Sequence, residues 1–496
     1  MPFLYLVAIF LAFSCRHAGL VNADPIASLT GKGFNFTYPG DVGFQTASEA
    51  FNLRYAYRPA IVAFPTTIEH VSQIVRVGYE EGYNVVARSG GHSYIAAGLG
   101  GKNNSIVIDM QNFNALSYDP ETQTAIIGVG NKLGNIITAL NANGRALPHG
   151  TCAYVGWGGH ATYGGYGFTS RLWGLAVDTI ISIDVVLANG TIAKASKTHN
   201  PDLFWALRGA AGSFGIVTST QVRTFEAPAS ATIYSYNWKL NITAATQALQ
   251  TYQQFSLSPE LSAELGIEVV LIPGDSRGTV GFNIAGGWYK PAAQLNVTLQ
   301  PFLDRMPKPS SSSFDIGDYL NSAKNLAGGS LDTAAPNGHD TFYAKSLVTP
   351  ERAPMDEKAR RAFITYIANE GFGLDVGWFL QLGLWGGLNS AINAVPREET
   401  SFAHRDALFT MQLYAYSEGN VPPFPSSGLA FVDGIADSIV KNSPQGWDYG
   451  AYSNYIDDRL VNADYLYYKH NLPRLKKLKG QFDPTGVFNS PTGINA

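Results

Sequence analysis

From Arg54 onward the chain alternates short apolar runs with stretches of helical period. Ala60 to Phe64 is an unbroken apolar run of strand length, and after the capping pair Thr66-Thr67 the residues Val71, Ile74, Val75 and Gly78 recur on one helix face. Val85 to Ala87 predicts a second strand, which runs straight into Arg88-Ser89-Gly90-Gly91-His92. Ile106 to Met110 and Ala125 to Val129 predict further strands, Leu133 to Leu140 a helix, and Ile180 to Ala188 a long buried strand ended by the Asn189-Gly190 turn. After Pro228 the pattern changes. Tyr234, Tyr236, Trp238 and Leu240 alternate with polar residues, the mark of a strand with one solvated face in a new sheet. A helix carrying Leu249, Tyr252 and Phe255 follows, then strands at Leu265 to Ile272 and Gly281 to Tyr289, whereas the Pro- and Ser-rich Pro307 to Ser313 predicts a loop. Tyr468, Leu472 and Leu475 share one face of a helix predicted from Tyr465 to Lys479, and Asp483-Pro484-Thr485-Gly486 predicts a turn. The fold class is α+β, with many strands and no internal repeat.

Length and composition narrow the class. At 496 residues the chain suggests two or three domains with ample volume for a core. Charged residues make up 15%, below the usual ~25%, and the net charge of −4 speaks against a basic nucleic-acid footprint. With 45% hydrophobic residues and 52 glycines, disorder and coiled coil are excluded. Phe3 to Ser14 is an apolar run of signal-peptide length, too short to span a bilayer, and Val21 and Ala23 fit a cleavage site, so residues 1–23 are expected to be removed and the protein secreted. Five sequons, at Asn35, Asn103, Asn189, Asn241 and Asn296, agree with an extracellular glycoprotein. No later segment reads as a membrane span, and a monomer is expected. Loss of Cys15 with the leader leaves Cys152 alone. Such a thiol is buried and inert, paired between chains, or used chemically.

Two glycine-rich segments carry the candidate chemistry. In Arg88-Ser89-Gly90-Gly91-His92-Ser93-Tyr94, consecutive glycines let backbone N–H groups approach an anion and Arg88 adds charge, which suits a diphosphate; a plain loop has the same composition. In Gly150-Thr151-Cys152-Ala153-Tyr154-Val155-Gly156-Trp157-Gly158-Gly159-His160, continuing through Gly164 to Gly167, glycines interleaved with aromatics imply backbone lying against a large planar group or a second chain. Neither segment has the dinucleotide fingerprint at a strand-to-helix turn. His92 and Cys152 also lack the further ligands of a zinc site and the local signatures of a thiol protease. No metal is expected.

The order Arg88-Ser-Gly-Gly-His92-Ser-Tyr94, Gly150-Thr-Cys152, Gly-Gly-His160, Asp202-Leu-Phe-Trp-Ala-Leu-Arg208-Gly and Phe482-Asp-Pro with Val487-Phe488 resembles the vanillyl-alcohol-oxidase superfamily. More narrowly it resembles berberine-bridge-enzyme-like flavoproteins, close to the fungal gluco- and chito-oligosaccharide oxidases. That resemblance implies FAD held by two bonds, through His92 and Cys152. It places Arg88, Ser89, Gly90, Gly91, Ser93, Gly156, Gly158, Gly159, His160, Gly215, Ile216 and Val217 at the cofactor. It also implies a two-domain fold of the PCMH type: an FAD-binding domain over 54–226, a substrate domain over 227–450 built on an antiparallel sheet covered by helices, and a segment over 451–496 that returns to the first domain.

Oxidising a hemiacetal carbon requires a hydride acceptor, a base for the hydroxyl proton and groups that aim the sugar. The resemblance gives the base as Tyr455, in Tyr452-Ser-Asn454-Tyr455-Ile-Asp457, and substrate contacts as Tyr94, Gln381 and Gln412. Bringing a tyrosine from its ordinary pKa near 10 to near neutrality takes about 4 kcal/mol. In the relatives an Asp assists, two residues beyond the Gln, but here Trp378-Phe379-Leu380-Gln381-Leu382-Gly383 holds Gly383 at that place. Asp457 or another tyrosine substitutes, the substrate hydroxyl is more acidic, or the reaction is slower. Tyr154, Trp157, Trp378 and Trp385 are candidates for stacking on sugar faces. Val155, after the cysteine, fits a position that leaves room for O2. The leading expectation is a secreted oxidase turning a reducing-end sugar into its lactone with release of hydrogen peroxide. Beside it stand an oxidase of a small secondary metabolite and a glycoprotein that binds carbohydrate without turnover.

Overall fold

The computed structural model describes residues 24–495; the expected leader, 1–23, lies outside them. Asp24 caps the first helix, Pro25–Leu29, by accepting a hydrogen bond from Ile26 N. The strand Ile61–Phe64, the helix Ile68–Glu81 and the strand Val85–Arg88 then form a βαβ unit around the strand Ile106–Asp109, which pairs in parallel with both others. The helix starts where the sequence predicts, with Thr67 Oγ1 accepting from His70 N, and stops at Gly82 in the left-handed region. The strand Asn35–Thr37 extends this sheet, so the first unit takes in residues ahead of Arg54. A second, antiparallel sheet runs in the order Leu116–Asp119, Thr124–Gly128, Ile216–Arg223, Ile180–Val186, Ile192–Ser196.

The residues after Pro228 build a seven-stranded antiparallel sheet. Its order is Ser311–Gly317, Ala231–Asn241, Thr279–Trp288, Leu265–Pro273, Val376–Leu384, Ala407–Ser417, Phe342–Pro350. One face carries Tyr234, Trp238, Ile267, Leu271, Trp378 and Leu413 into a core shared with the helices Ile242–Ser256, Glu357–Glu370 and Ser426–Val440. The other face turns toward the glycine-rich loops. The C-terminal segment returns to the first unit: Val85 N donates to Val487 O, Ile494 N donates to Ser213 Oγ, and buried Lys479 pairs with buried Asp483. Residues from within 227–450, among them Tyr319, Trp385 and Phe402, pack into that first core as well.

Two predicted elements differ. Pro307 to Ser313 is a loop only in part, because Ser311–Gly317 pairs with Ala231–Asn241 as an edge strand. Its hydrogen bonds come from the backbone of one neighbour, and its serines gave no apolar alternation to reveal it. The single helix predicted from Tyr465 to Lys479 is two helices, Ala463–Tyr468 and Leu472–Phe482, broken at Lys469, whose φ is 46°. The five sequon asparagines are all exposed. Among the described residues no helix is long and apolar enough to cross a membrane, and no cluster of three or more metal-ligating side chains occurs.

Candidate active site

The inner face of the seven-stranded sheet and the two glycine-rich loops enclose a cavity of about 960 Å³. All the residues singled out for cofactor and substrate line it: Arg88 to Tyr94, Cys152, Gly156, Gly158 to His160, Gly215 to Val217, Gln381, Gln412 and Tyr455. The loops are pressed together at their glycines. A Cβ on Gly156 would lie 2.0 Å from Gly90 N and 2.4 Å from Ser89 Oγ, so side chains are excluded from both sides of the junction. Ser89 fixes it further by donating to Val129 O and accepting from Gly158 N at 3.2 Å. Gly159, by contrast, would have no atom beyond its own helix turn within 4 Å of its Cβ, and it lines the cavity.

His92 follows the strand Val85–Arg88, with its ring stacked on Phe51 at 4.1 Å between centroids. Burial, helped by the charge of Lys132, pushes its pKa down to about 4, so the ring is neutral and nucleophilic. Asn337 Nδ2 donates to Nε2 at 2.6 Å, and Nδ1 has no hydrogen-bond partner among the described residues. Cys152 is a free, exposed thiol at the wall of the same cavity, which removes the reading of an inert buried cysteine.

Two residues stand differently from expectation. Arg88 lines the cavity, but its charge is matched: Nε donates to Asp109 Oδ2 at 2.7 Å and Nη1 donates to Ala47 O. It shapes the wall and holds no free charge for a diphosphate. His160 is buried, its pKa pushed down to about 3 by burial, and its Nε2 accepts from Gly150 N at 3.1 Å, so it locks the second loop from behind.

On the sheet side Gln381 stands opposite Gln412 on adjacent strands, and Gln412 Nε2 donates to the hydroxyl of Tyr94. Tyr455 sits in the turn Ser453–Tyr455, its ring parallel to Tyr94 at 5.8 Å and edge-on to Tyr452 at 5.0 Å. Its hydroxyl makes no hydrogen bond among the described residues. Burial raises the Tyr455 pKa well above the ordinary tyrosine value, and Tyr94, Tyr452 and Glu268 push it further up. The expected lowering toward neutrality is therefore reversed, since among the described residues no cation acts on Tyr455 to hold a phenolate. Asp457 does not supply the missing acid, since it is buried in a pair with Lys345 and accepts from Tyr343 Oη at 3.0 Å, away from the cavity lining. The tryptophans expected to stack on sugars are core residues. Trp157, Trp378 and Trp385 are buried, and the indoles of the first two donate to Thr220 Oγ1 and Gly371 O. Tyr154 also stays off the cavity, under Lys132 Nζ at 5.0 Å.

The aromatic lining includes instead Tyr166, Phe379 and Tyr414, which periodicity did not single out. Tyr166 explains Gly383. A Cβ at 383 would lie 2.8 Å from Tyr166 Oη and 2.9 Å from its ring, so the space an Asp would need is filled by the phenol. Directly across the sheet from Gly383 stands Glu268, at the cavity wall, its Oε1 accepting from Gln381 Nε2 at 3.0 Å. Burial pushes the pKa of Glu268 up to about 7 against the lowering effect of that bond.

An FAD binding domain model matches residues 59–196, and a berberine and berberine-like model matches residues 451–495. The chain is 38% identical over 463 residues to a xylooligosaccharide oxidase of Thermothelomyces thermophilus, covering 91% of this chain and 90% of that one. It is 35% identical over 466 residues to a glucooligosaccharide oxidase of Sarocladium strictum, covering 91% and 90%. A solved chitooligosaccharide oxidase superposes with a TM-score of 0.89 at 31% identity, covering 95% of this chain and 99% of that one. A solved glucooligosaccharide oxidase from Acremonium strictum, described with a 6-S-cysteinyl, 8α-N1-histidyl FAD, gives 0.88 at 32%, covering 95% and 99%.

Proposed function

The chain belongs to the family of FAD-linked fungal oligosaccharide oxidases with a berberine-like C-terminal segment, and we propose that it is a secreted enzyme oxidising the reducing-end C1 hydroxyl of an oligosaccharide to the lactone, with O2 as final acceptor and hydrogen peroxide as product. The observation that carries this reading is the cavity itself, with close-packed glycine backbone and the His92 and Cys152 side chains on one wall and Tyr455, Tyr94, Gln381 and Gln412 on the other. We assign the FAD half to 54–226 with the returning 451–496 and the added strand Asn35–Thr37, and the substrate half to 227–450.

The residues present fit FAD. Neutral His92, with Nε2 occupied by Asn337, would hold it through Nδ1, and Cys152 through Sγ. Gly90, Gly91, Gly158, Gly159 and the Gly215 to Val217 stretch bring backbone to the cofactor. When bound, FAD supplies the two-electron acceptor. The remaining work is done by the chain: Gln381 and Gln412 orient the sugar, and the hydroxyl of Tyr455 meets the C1 hydroxyl.

The test is a panel of xylo-, gluco- and chito-oligosaccharides read by peroxide release. Turnover of at least one reducing sugar is expected. Silence on every sugar refutes the reading and leaves the small-metabolite oxidase. Anaerobically reduced enzyme should return to the oxidised spectrum on admission of air; a requirement for added quinone would make it a dehydrogenase.

A further inference from the structure

Proton removal is the unsolved part of this site. Tyr455, the hydroxyl best placed to meet the substrate, has its ionisation opposed by burial and by every neighbour named above. A lone phenolate at neutral pH is not available there. Among the described residues the cavity lining holds two carboxyls in no ion pair, Asp340 and Glu268; Asp340 already accepts from Tyr414 Oη and Thr341 N, one on each oxygen, and lies on a different strand end from Gln381. Among the described residues Glu268 receives a single hydrogen bond, from Gln381, and forms no ion pair.

We propose, resting on the oxidation reading above, that Glu268 is the acceptor of the substrate's hydroxyl proton, acting with Tyr455 as one base. Its placement carries the idea. Glu268 shares the inner face of the sheet with Gln381 and stands across from Gly383, the position Tyr166 has closed to any carboxylate of its own. Its charge reaches Tyr455 and Tyr166 on the loop side and Tyr234 and Tyr252 behind the sheet. Arg171, a buried guanidinium whose charge also reaches Tyr166 and Tyr252, donates to the carbonyls of Gly386, Ser262 and Leu265 and forms no ion pair with Glu268. A base is most effective when its pKa lies near the working pH, and Glu268 is held near neutrality by burial. The balance closes without a further reagent. The C1 O–H bond would break with its proton passing by way of the Tyr455 hydroxyl and one bridging water to the Glu268 carboxylate, while the C1–H bond would break with its hydrogen and electron pair leaving together as hydride to bound FAD, so that C1 becomes a carbonyl carbon. Reduction of O2 to H2O2 would then take two protons, one returned by Glu268 and the other the hydrogen that left C1 as hydride.

The test uses the holoenzyme, with Glu268→Gln and Glu268→Asp. Stopped-flow reduction of the flavin by a reducing oligosaccharide should accelerate in the wild type as pH rises through about 7. In E268Q that limb should vanish and the plateau fall by roughly 10²- to 10⁴-fold, with covalent flavin retained and KM little changed. E268D should keep the limb at an intermediate rate. Infrared pH-difference spectra of substrate-free wild type should show a carboxyl C=O band titrating near neutrality, absent in E268Q; this readout on the wild type stands even if a variant fails to fold. An E268Q rate within threefold of wild type, an unchanged limb, a loss confined to KM, or no such band overturns the proposal. A wild type whose flavin no reducing sugar reduces overturns the oxidation reading itself, a result distinct from any of these.

Discussion

Replacing Gly90 with alanine tests whether the backbone junction between the two loops sets the cofactor site. A Cβ there would lie 2.4 Å from Gly156 N, 2.7 Å from Gly156 Cα and 3.0 Å from Tyr154 O. All three are backbone atoms, so no side chain can swing aside, and restoring ordinary contact requires the loops to part by about 1 Å. Overpacking of this kind costs about 1–3 kcal/mol. It also shifts the segment bearing Cys152 against the one bearing His92, and a misplacement of about 1 Å costs on the order of 10²-fold in a step that depends on alignment. The assay is acid precipitation followed by flavin absorbance in pellet and supernatant, with a thermal melt of the same preparation. The wild type should keep its flavin in the pellet; Gly90→Ala should release much of it and melt lower. Gly480→Ala is the control, because a Cβ there meets nothing within 4 Å and the residue sits in the helix Leu472–Phe482, away from the cavity lining. If Gly90→Ala matched wild type in both melting and flavin retention, the junction would not position the cofactor.

Three further expectations follow from the same geometry. Tyr455→Phe should lower kcat by roughly 10²- to 10⁴-fold with covalent flavin intact, and a change in KM alone would remove Tyr455 from proton transfer. His92→Ala should retain flavin through Cys152 whereas the double variant with Cys152→Ala releases it; a Cys152 peptide of unmodified mass from the wild type would contradict the two-bond attachment. Burial holds His160 and His404 neutral, with pKa values pushed down to about 3 from 6.5. Their contribution to stability is therefore complete above pH 6.5 and lost as pH falls toward 3, because the unfolded chain takes up protons that the folded one refuses. Each ring adds a slope of about 1.4 kcal/mol per pH unit in that window, so the urea midpoint should fall from pH 7 to pH 5 and fall less steeply in His404→Gln.

What was legible in the sequence was what is local. The helix Ile68–Glu81 announces itself through Thr67, its apolar stripe and Gly82, all within one window. The strand Ala231–Asn241 shows its buried face in Tyr234, Tyr236, Trp238 and Leu240, yet nothing in those residues says that Ser311–Gly317 will lie beside it. Pairing across a sheet is decided by topology, and that is where the site escaped. Glu268 occupies a polar position of a strand whose apolar partners are Ile267, Val269 and Leu271. Alternation identifies the face away from the helices but cannot tell solvent from a cavity, so a glutamate there reads as solvated. Gly383 alone looked like a missing acid. Set beside Glu268 and beneath Tyr166 it becomes the space that a phenol needs, with the carboxylate one strand over. The same logic separates the tryptophans, whose size suggested sugar contacts but whose indoles are buried against core partners, from Tyr166, Phe379 and Tyr414, which reach the cavity only because the loops and the sheet meet there. A chemical role that depends on two segments meeting becomes visible only once their register is known, and the Glu268 variants test that register as directly as they test the proton.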